Sequence, residues 1–200
     1  MNEDDVRILA RETVYQGYFR VDRYRLRHRR YDGGWTEELT REVFERGHAV
    51  GVLLYDPRRD EVVLIGQFRV GAQAAGWAPW QLEIVAGIID PGETAEAVAR
   101  RESLEEAGLT LLELAPITAF LLSQGAVSET IRLFCGRVDS TDAGGIHGLA
   151  DEGEDIKVVV VPFAELPGLL AAKQVTNATG LVALQWLLLN RDELRARWTG

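Results

Sequence analysis

The chain has one cysteine, Cys135, so it can form no internal disulfide and supply no cysteine metal cluster. No histidine lies near it in sequence to activate the thiol. Within the apolar run Ile131-Arg132-Leu133-Phe134-Cys135 it reads as a buried core residue. Basic side chains are in deficit, 22 Lys plus Arg against 31 Asp plus Glu, for a net charge of -9. That balance argues against general nucleic-acid binding, which rests on cations meeting phosphates. A small anionic substrate stays compatible where metal ions or a local basic patch offset the charge. No apolar run reaches the ~18 residues of a membrane helix. The opening Met-Asn-Glu-Asp-Asp lacks the basic and apolar regions of a signal peptide, so no membrane partner and a cytoplasmic location are expected. Internal repeats, low-complexity linkers and sharp domain boundaries are also missing. What is there is 200 residues, 46% hydrophobic and 26% charged, enough for one domain, or a domain with an appendage, around a substantial core.

The stretch up to about Arg46 reads as short strands. From Val21 to His28 the residues alternate, with Tyr24, Leu26 and His28 on one face and Arg23, Arg25 and Arg27 on the other. Tyr31 to Trp35 supplies a turn and Thr36 to Phe44 a returning strand. Such a two-strand ribbon is marginal alone and needs support, part of which a second subunit can give. Next comes an apolar hairpin, Ala49 to Tyr55 and Glu61 to Ile65, joined through Asp56 to Asp60. Gly71 to Pro79 is expected to be a loop and Trp80 to Ala86 a strand. Ala95 to Ala107 is predicted helical, with Gly108 ending it. Further strands are expected at Ile117 to Leu122, Ile131 to Val138 and Ile156 to Val161, followed by helices at Phe163 to Ala172 and Ala178 to Arg197. The polar segment Asp139 to Asp155 is long for a loop in a compact domain, a sign of function or disorder.

On the helix after residue 94, Glu102, Glu105 and Glu106 stand at i, i+3 and i+4 and share a face. Taken alone, such a face is solvated surface. The carboxylates repel one another, however, and hard divalent cations are their natural compensation, because Mg²⁺ takes one or two carboxylates together with phosphates and waters. Glu93 favours the positive end of the helix dipole and can pair with Arg101, tying loop to helix.

The full pattern runs from Gly87 through Glu93, Arg101-Glu102 and Glu105-Glu106 to Gly108 and Leu109. It resembles the Nudix box, with every glycine and charged position met. Ser103 departs from it, standing where the family prefers a bulky aliphatic side chain. The resemblance extends over nearly the whole chain and is closest to the bacterial ADP-ribose pyrophosphatase branch of the Nudix hydrolases. It is carried also by Ala10-Arg11-Glu12-Thr13, Phe44-Glu45-Arg46-Gly47-His48-Ala49, Glu61-Val62-Val63-Leu64-Ile65 and the segment Gly145 to Ile156.

The resemblance implies an α+β fold, an α/β/α sandwich around a mixed sheet, preceded by an N-terminal antiparallel β element. Residues 1–47 would form that element, exchanged between subunits of a homodimer, and residues 48–200 the hydrolase domain. Glu102 and Glu106 would be the main metal ligands, with the Ala86 carbonyl as a further ligand and Glu105 in a supporting catalytic role. Gly87, Glu93, Arg101 and Gly108 would be structural. Two or more Mg²⁺ ions, with Mn²⁺ as an alternative, would neutralise the pyrophosphate and lower the pKa of water. In the long loop, Glu152 resembles the catalytic base and Glu154 an additional metal ligand, brought in as the loop closes.

For the substrate, Arg69 and Arg41 resemble residues that meet phosphates and the terminal ribose. Tyr18 resembles an aromatic that stacks on adenine from the neighbouring subunit. Glu129 resembles an acid near the terminal ribose, and Glu83 a polar position ahead of Ala86-Gly87. Ser123-Gln124-Gly125 replaces the branch's usual Ser-Pro-Gly, which weakens the preference for ADP-ribose within the family. The expected activity is hydrolysis of ADP-ribose to AMP and ribose 5-phosphate. The alternatives are hydrolysis of another nucleoside diphosphate sugar, such as GDP-mannose, or of a dinucleotide, and a non-catalytic Nudix-like sensor. The arginines of residues 20–30 are expected to guard an edge strand against aggregation rather than to bind nucleic acid or membrane.

Overall fold

A computed structural model describes residues 2–199, which fall into two compact units. The first comprises the chain up to His48 together with Leu121–Thr130. Its three-stranded antiparallel sheet has the order β1 (Val6–Gln16), β2 (Arg20–His28), β3 (Leu39–Glu45). The ribbon expected from sequence therefore has a third strand, and β2 is its centre rather than an edge.

That position changes the account of the arginines. Arg23 stands opposite Glu12 on β1 and Glu42 on β3, with ion pairs of 3.4 and 2.8 Å. Arg25 pairs with Glu38 at 2.7 Å. Opposite charges facing one another across strands support the sheet's register, so these cations are spent on neighbours within the sheet. Asp22, buried near the start of β2, accepts hydrogen bonds from Arg11 Nε and Thr13 Oγ1 at 2.9 and 2.8 Å. The segment 121–130 joins the end of β3 through Phe44, whose N–H donates to the Ala126 carbonyl at 2.8 Å. Ser123, at the departed Ser-Pro-Gly position, closes its own turn: its carbonyl accepts from Ala126 and Val127 N–H at 3.1 and 2.9 Å.

The second unit holds Ala49–Phe120 and the described residues from Ile131 onward. Its mixed sheet has a path formed by β10 (Ile146–His147), β11 (Ile156–Pro162), β5 (Glu61–Phe68), β4 (His48–Asp56), β9 (Thr130–Arg137) and β8 (Glu113–Leu121). Strand β6 (Trp80–Glu83) pairs with β5, and β7 (Val85–Ile89) with β4. The β4–β9 pair is parallel and the β4–β5 pair antiparallel.

Alternation along β4 sends Leu53 and Tyr55 to one face and Val50, Val52 and Leu54 to the other. The first set packs with Leu184, Leu187 and Leu194 of α4 (Ala178–Thr199) and Leu166 and Leu169 of α3 (Leu166–Ala171). The second packs with Val98 and Ala99 of α2 (Ala95–Ala107). Helices cover both faces, which is why β4 is apolar at nearly every position instead of every second one. Cys135 is fully buried, and desolvation raises its thiol pKa, as a core thiol requires.

Three stretches differ from the sequence expectation. A short helix α1 (Val70–Ala74) occupies part of the expected Gly71 to Pro79 loop. The single strand expected at Trp80 to Ala86 is broken at buried Ile84, where the chain leaves β5 and joins β4. The Asp139 to Asp155 segment is ordered by the short strand β10 and a single 3-10 turn at Ala150–Glu152. Among the described residues, no helix is long and apolar enough to cross a membrane.

Candidate active site

Helix α2 is built to start and stop where the chemistry needs it. Thr94 caps its N-terminus, the hydroxyl oxygen accepting from Ala97 N–H at 3.2 Å, and Gly108 ends it with φ of 67°. That left-handed backbone suits glycine. Ser103, the departure from the family pattern, is fully buried and donates its hydroxyl to the Ala99 carbonyl at 2.7 Å. A small side chain whose one polar group is satisfied within the helix fills the aliphatic position without leaving an unpaired donor.

Between those ends, Glu102, Glu105 and Glu106 line up as their spacing predicts. Glu106 is buried and its Oε2 accepts from Ala86 N–H at 3.0 Å. Glu102 lies against Gly87 so closely that any Cβ at that position would collide with its carboxylate. A side chain at 87 would have to push the Glu102 carboxylate out of its present position. Arg101 Nη1 stands 2.8 Å from Glu102 and 3.2 Å from Glu105, and its Nη2 stands 3.5 Å from Glu93. Glu93 itself accepts from Asp90 N–H at 3.1 Å, which ties the loop to the helix through one guanidinium.

The electrostatics single out two of these carboxyls. Desolvation by burial pushes Glu106 up to about 8, against the Ala86 hydrogen bond and assisted by the charges of Glu102 and Glu154. Burial likewise pushes Glu102 up to about 7 although Arg101 opposes it, with Glu105, Glu154 and Glu152 adding repulsion. The loop carboxylates Glu152 and Glu154 therefore act on the same acidic centre as the helix. Glu152 is exposed; Glu154 is half-buried, and its Oε2 accepts from Leu149 N–H at 3.0 Å.

Carboxyls, one buried and one half-buried, held above their ordinary range by desolvation and mutual repulsion form a donor set that a hard dication fits, because its charge would offset both penalties. Among the described residues no three His, Cys, Asp or Glu side chains already surround one ion position. For Mg²⁺ that is expected, since it relies on one or two carboxylates and takes its remaining oxygens from waters and substrate phosphates.

Arg69 joins this centre by lowering the Glu106 pKa through its charge. Its Nη2 donates to Glu83 Oε2 at 2.9 Å, so Glu83 orients the guanidinium. Tyr18, Arg41 and Glu129 belong to the first unit. Tyr18 is 86% exposed, an open ring edge-on to Phe19 at 4.8 Å. Arg41 is exposed and donates to the Thr40 carbonyl at 2.8 Å. Glu129 is only 2% exposed, with Arg46 Nε 3.5 Å from its Oε1 and no hydrogen-bond partner on its Oε2. Burial raises its pKa. An orphaned acceptor of this kind suits a ligand hydroxyl.

His147 escaped the sequence reading. It contacts Gly108 at the end of α2, and its only sequence signal was its place in a segment already assigned to Glu152 and Glu154.

The NUDIX domain family matches residues 45–184, and the chain belongs to that family, whose members generally use a divalent metal. Over 98% of its length it is 49% identical to the ADP-ribose pyrophosphatase of Escherichia coli, covering 94% of that protein. It is 40% identical to the ADP-ribose pyrophosphatase of Haemophilus influenzae, over 98% of this chain and 92% of that one. A crystal structure of an ADP compounds hydrolase shares the fold, with a TM-score of 0.72, 24% identity and 96% coverage of both chains.

Proposed function

We propose that this protein hydrolyses the pyrophosphate bond of ADP-ribose with water, giving AMP and ribose 5-phosphate. The observation that carries the chemistry is the pair of carboxyls, buried Glu106 and half-buried Glu102, whose proton affinities are raised by burial and by the charges of the loop glutamates. Near-complete alignment with pyrophosphatases named for ADP-ribose supports the substrate.

In this reading Glu102 and Glu106 would hold Mg²⁺ or Mn²⁺, two or more ions per site, with the Ala86 carbonyl and, once the loop closes, Glu154. The metal supplies charge neutralisation at the pyrophosphate and acidifies a water near neutral pH. Arg101, which pairs with Glu102, Glu93 and Glu105, offsets the acidic charge from beside the ligands and ties the loop to the helix. Glu105 supports the reaction from beside the ligands, and Glu152 takes the proton from the attacking water. The water oxygen bonds to one phosphorus as the bond from that phosphorus to the bridging oxygen breaks, and the other phosphate leaves carrying the bridging oxygen. Glu83 keeps Arg69 aimed at the phosphates, Arg41 and Glu129 serve the ribose end, and Tyr18 offers its open ring to the adenine bound by the neighbouring subunit.

Residues 1–47 act as a dimerisation element and residues 48–200 as the hydrolase domain. Every residue of β1 is exposed, including Val6, Ile8, Leu9, Val14 and Tyr15, a long apolar strand surface that needs covering. A homodimer with exchanged N-terminal elements covers it. Sedimentation at micromolar concentration should give twice the 22.2 kDa chain mass; a stable monomer would remove this part of the proposal. A cytoplasmic location suits a charged nucleotide substrate.

The test of function is a panel of ADP-ribose, ADP-glucose, GDP-mannose, NADH and diadenosine polyphosphates, with Mg²⁺ and with chelator, resolved by chromatography. ADP-ribose should be turned over at least about tenfold better in kcat/KM than any other, a difference of about 1.4 kcal/mol in transition-state binding, and chelator should abolish it. Preference for another member would move the substrate; turnover in chelator would remove the metal.

A further inference from the structure

Two contacts dock the stem of the Glu152 loop onto the end of α2, and the reaction as described leaves both unused. The first is the His147 ring. It lies against Gly108, where a Cβ would stand 2.5 Å from His147 Cε1 and 3.2 Å from Nδ1. Its Nε2–H donates to the Gly144 carbonyl at 2.8 Å, which fixes the ring's orientation. The second is the next residue, Gly148, whose N–H donates to the Glu105 carbonyl at 3.2 Å. That carbonyl is one of the last in the helix and has no partner within it.

Beyond this anchor the chain closes on itself. Leu149 O accepts from Glu152 and Glu154 N–H at 3.0 and 3.2 Å, and Leu149 N–H returns a bond to Glu154 Oε2 at 3.0 Å. On the other side, His147 pairs with Ile156 of β11. The turn carrying both loop carboxylates is therefore a small closed unit hung from residues 147–148, and those residues rest on the helix that presents Glu102 and Glu106. A displacement of the stem moves Glu152 and Glu154 together relative to that helix.

We infer that His147 is a positioning residue, which sets the reach of Glu152 and Glu154 towards the helix carboxylates by seating the stem on Gly108. This rests on the proposed role of Glu152 as base. Gly108 then has two reasons to be glycine, its positive φ and the room its missing Cβ leaves for the imidazole.

The test uses the full chain with ADP-ribose at saturating Mg²⁺, comparing kcat and KM with thermal melts. His147→Ala should lower kcat about 10- to 100-fold, the range for a misplacement near 1 Å, and change KM less than about threefold. His147→Gln, whose amide can still donate to the Gly144 carbonyl, should recover to within about fivefold of wild type. His147→Phe keeps a ring over Gly108 without the donor and should show the alanine loss, so it carries the comparison if alanine does not fold. In a Glu152→Gln background His147→Ala should cost at least about threefold less in kcat than it costs wild type, because the part of its effect that runs through Glu152 is already removed while the part through Glu154 remains. A slowed but measurable Glu152→Gln with a fully multiplied loss in the double variant would overturn the inference. So would a change confined to KM, or wild-type kcat in both His147→Ala and His147→Phe. Full turnover in Glu152→Gln alone would overturn the base assignment first, and this inference with it.

Discussion

Glu106→Gln should lose roughly a thousandfold in kcat while remaining folded. That is about 4 kcal/mol, the scale of transition-state stabilisation that a catalytic metal supplies. The amide keeps the shape of the carboxyl and can still accept from Ala86 N–H, but it carries no charge for the dication. The same substitution should raise metal-free stability at pH 8. In the folded protein burial pushes the Glu106 carboxyl up to about 8, from an ordinary value of 4.5. A raised pKa of this kind contributes stability that is fully present below 4.5 and lost as pH rises through 8, because the native state then holds a buried charge. Gln stays neutral throughout. In chelator the variant should therefore melt above wild type at pH 8, by about 2–4 °C per kcal/mol recovered, and match it near pH 5. Mg²⁺ should raise the melting temperature of wild type and much less that of the variant. Full turnover in Glu106→Gln, or equal stabilisation of both proteins by Mg²⁺, would place the metal elsewhere.

Glu152→Gln is the second large effect, a loss of about 10²- to 10⁴-fold in kcat, the contribution of a positioned general base. Its signature differs from that of Glu106→Gln. Glu152 is exposed, so removing its charge should leave the metal-free melting temperature within about 1 °C, in keeping with the small cost of surface changes. The Mg²⁺-induced rise in melting temperature should persist, since this residue is assigned to proton transfer and not to ligation. Turnover near wild type would shift the base to another group; loss of the Mg²⁺ response would make Glu152 a ligand instead.

Much of the site was legible in the sequence because it is local. A helix places residues three and four apart on one side whatever surrounds it, so Glu102, Glu105 and Glu106 could be grouped before any fold was known. Glu93 and Arg101 were readable as a pair because a dipole and a short loop join them. The end of the helix followed from Gly108, whose capping role is local as well. The five-residue α1 was not legible, since its Gly- and Ala-rich sequence carries no apolar period long enough to mark a helix. Nor was the break at Ile84, which happens because the chain changes strand partners there, an event that pattern alone does not record.

What the sequence by itself determined was the set of chemical groups, their grouping on one helix, the alternation that made the strands, and membership of a family through a motif of fixed spacing. What only the tertiary structure decided was the environment of those groups. Spacing cannot tell that Glu106 is buried and Glu152 exposed, that β2 is flanked on both sides so its arginines meet glutamates, or that Glu129 keeps an acceptor without a partner. Proton affinity depends on desolvation and on charges brought close by the fold. The seat of His147 on Gly108 likewise joins residues 39 positions apart in the chain, and only the packing of the loop stem on the helix end puts them in contact.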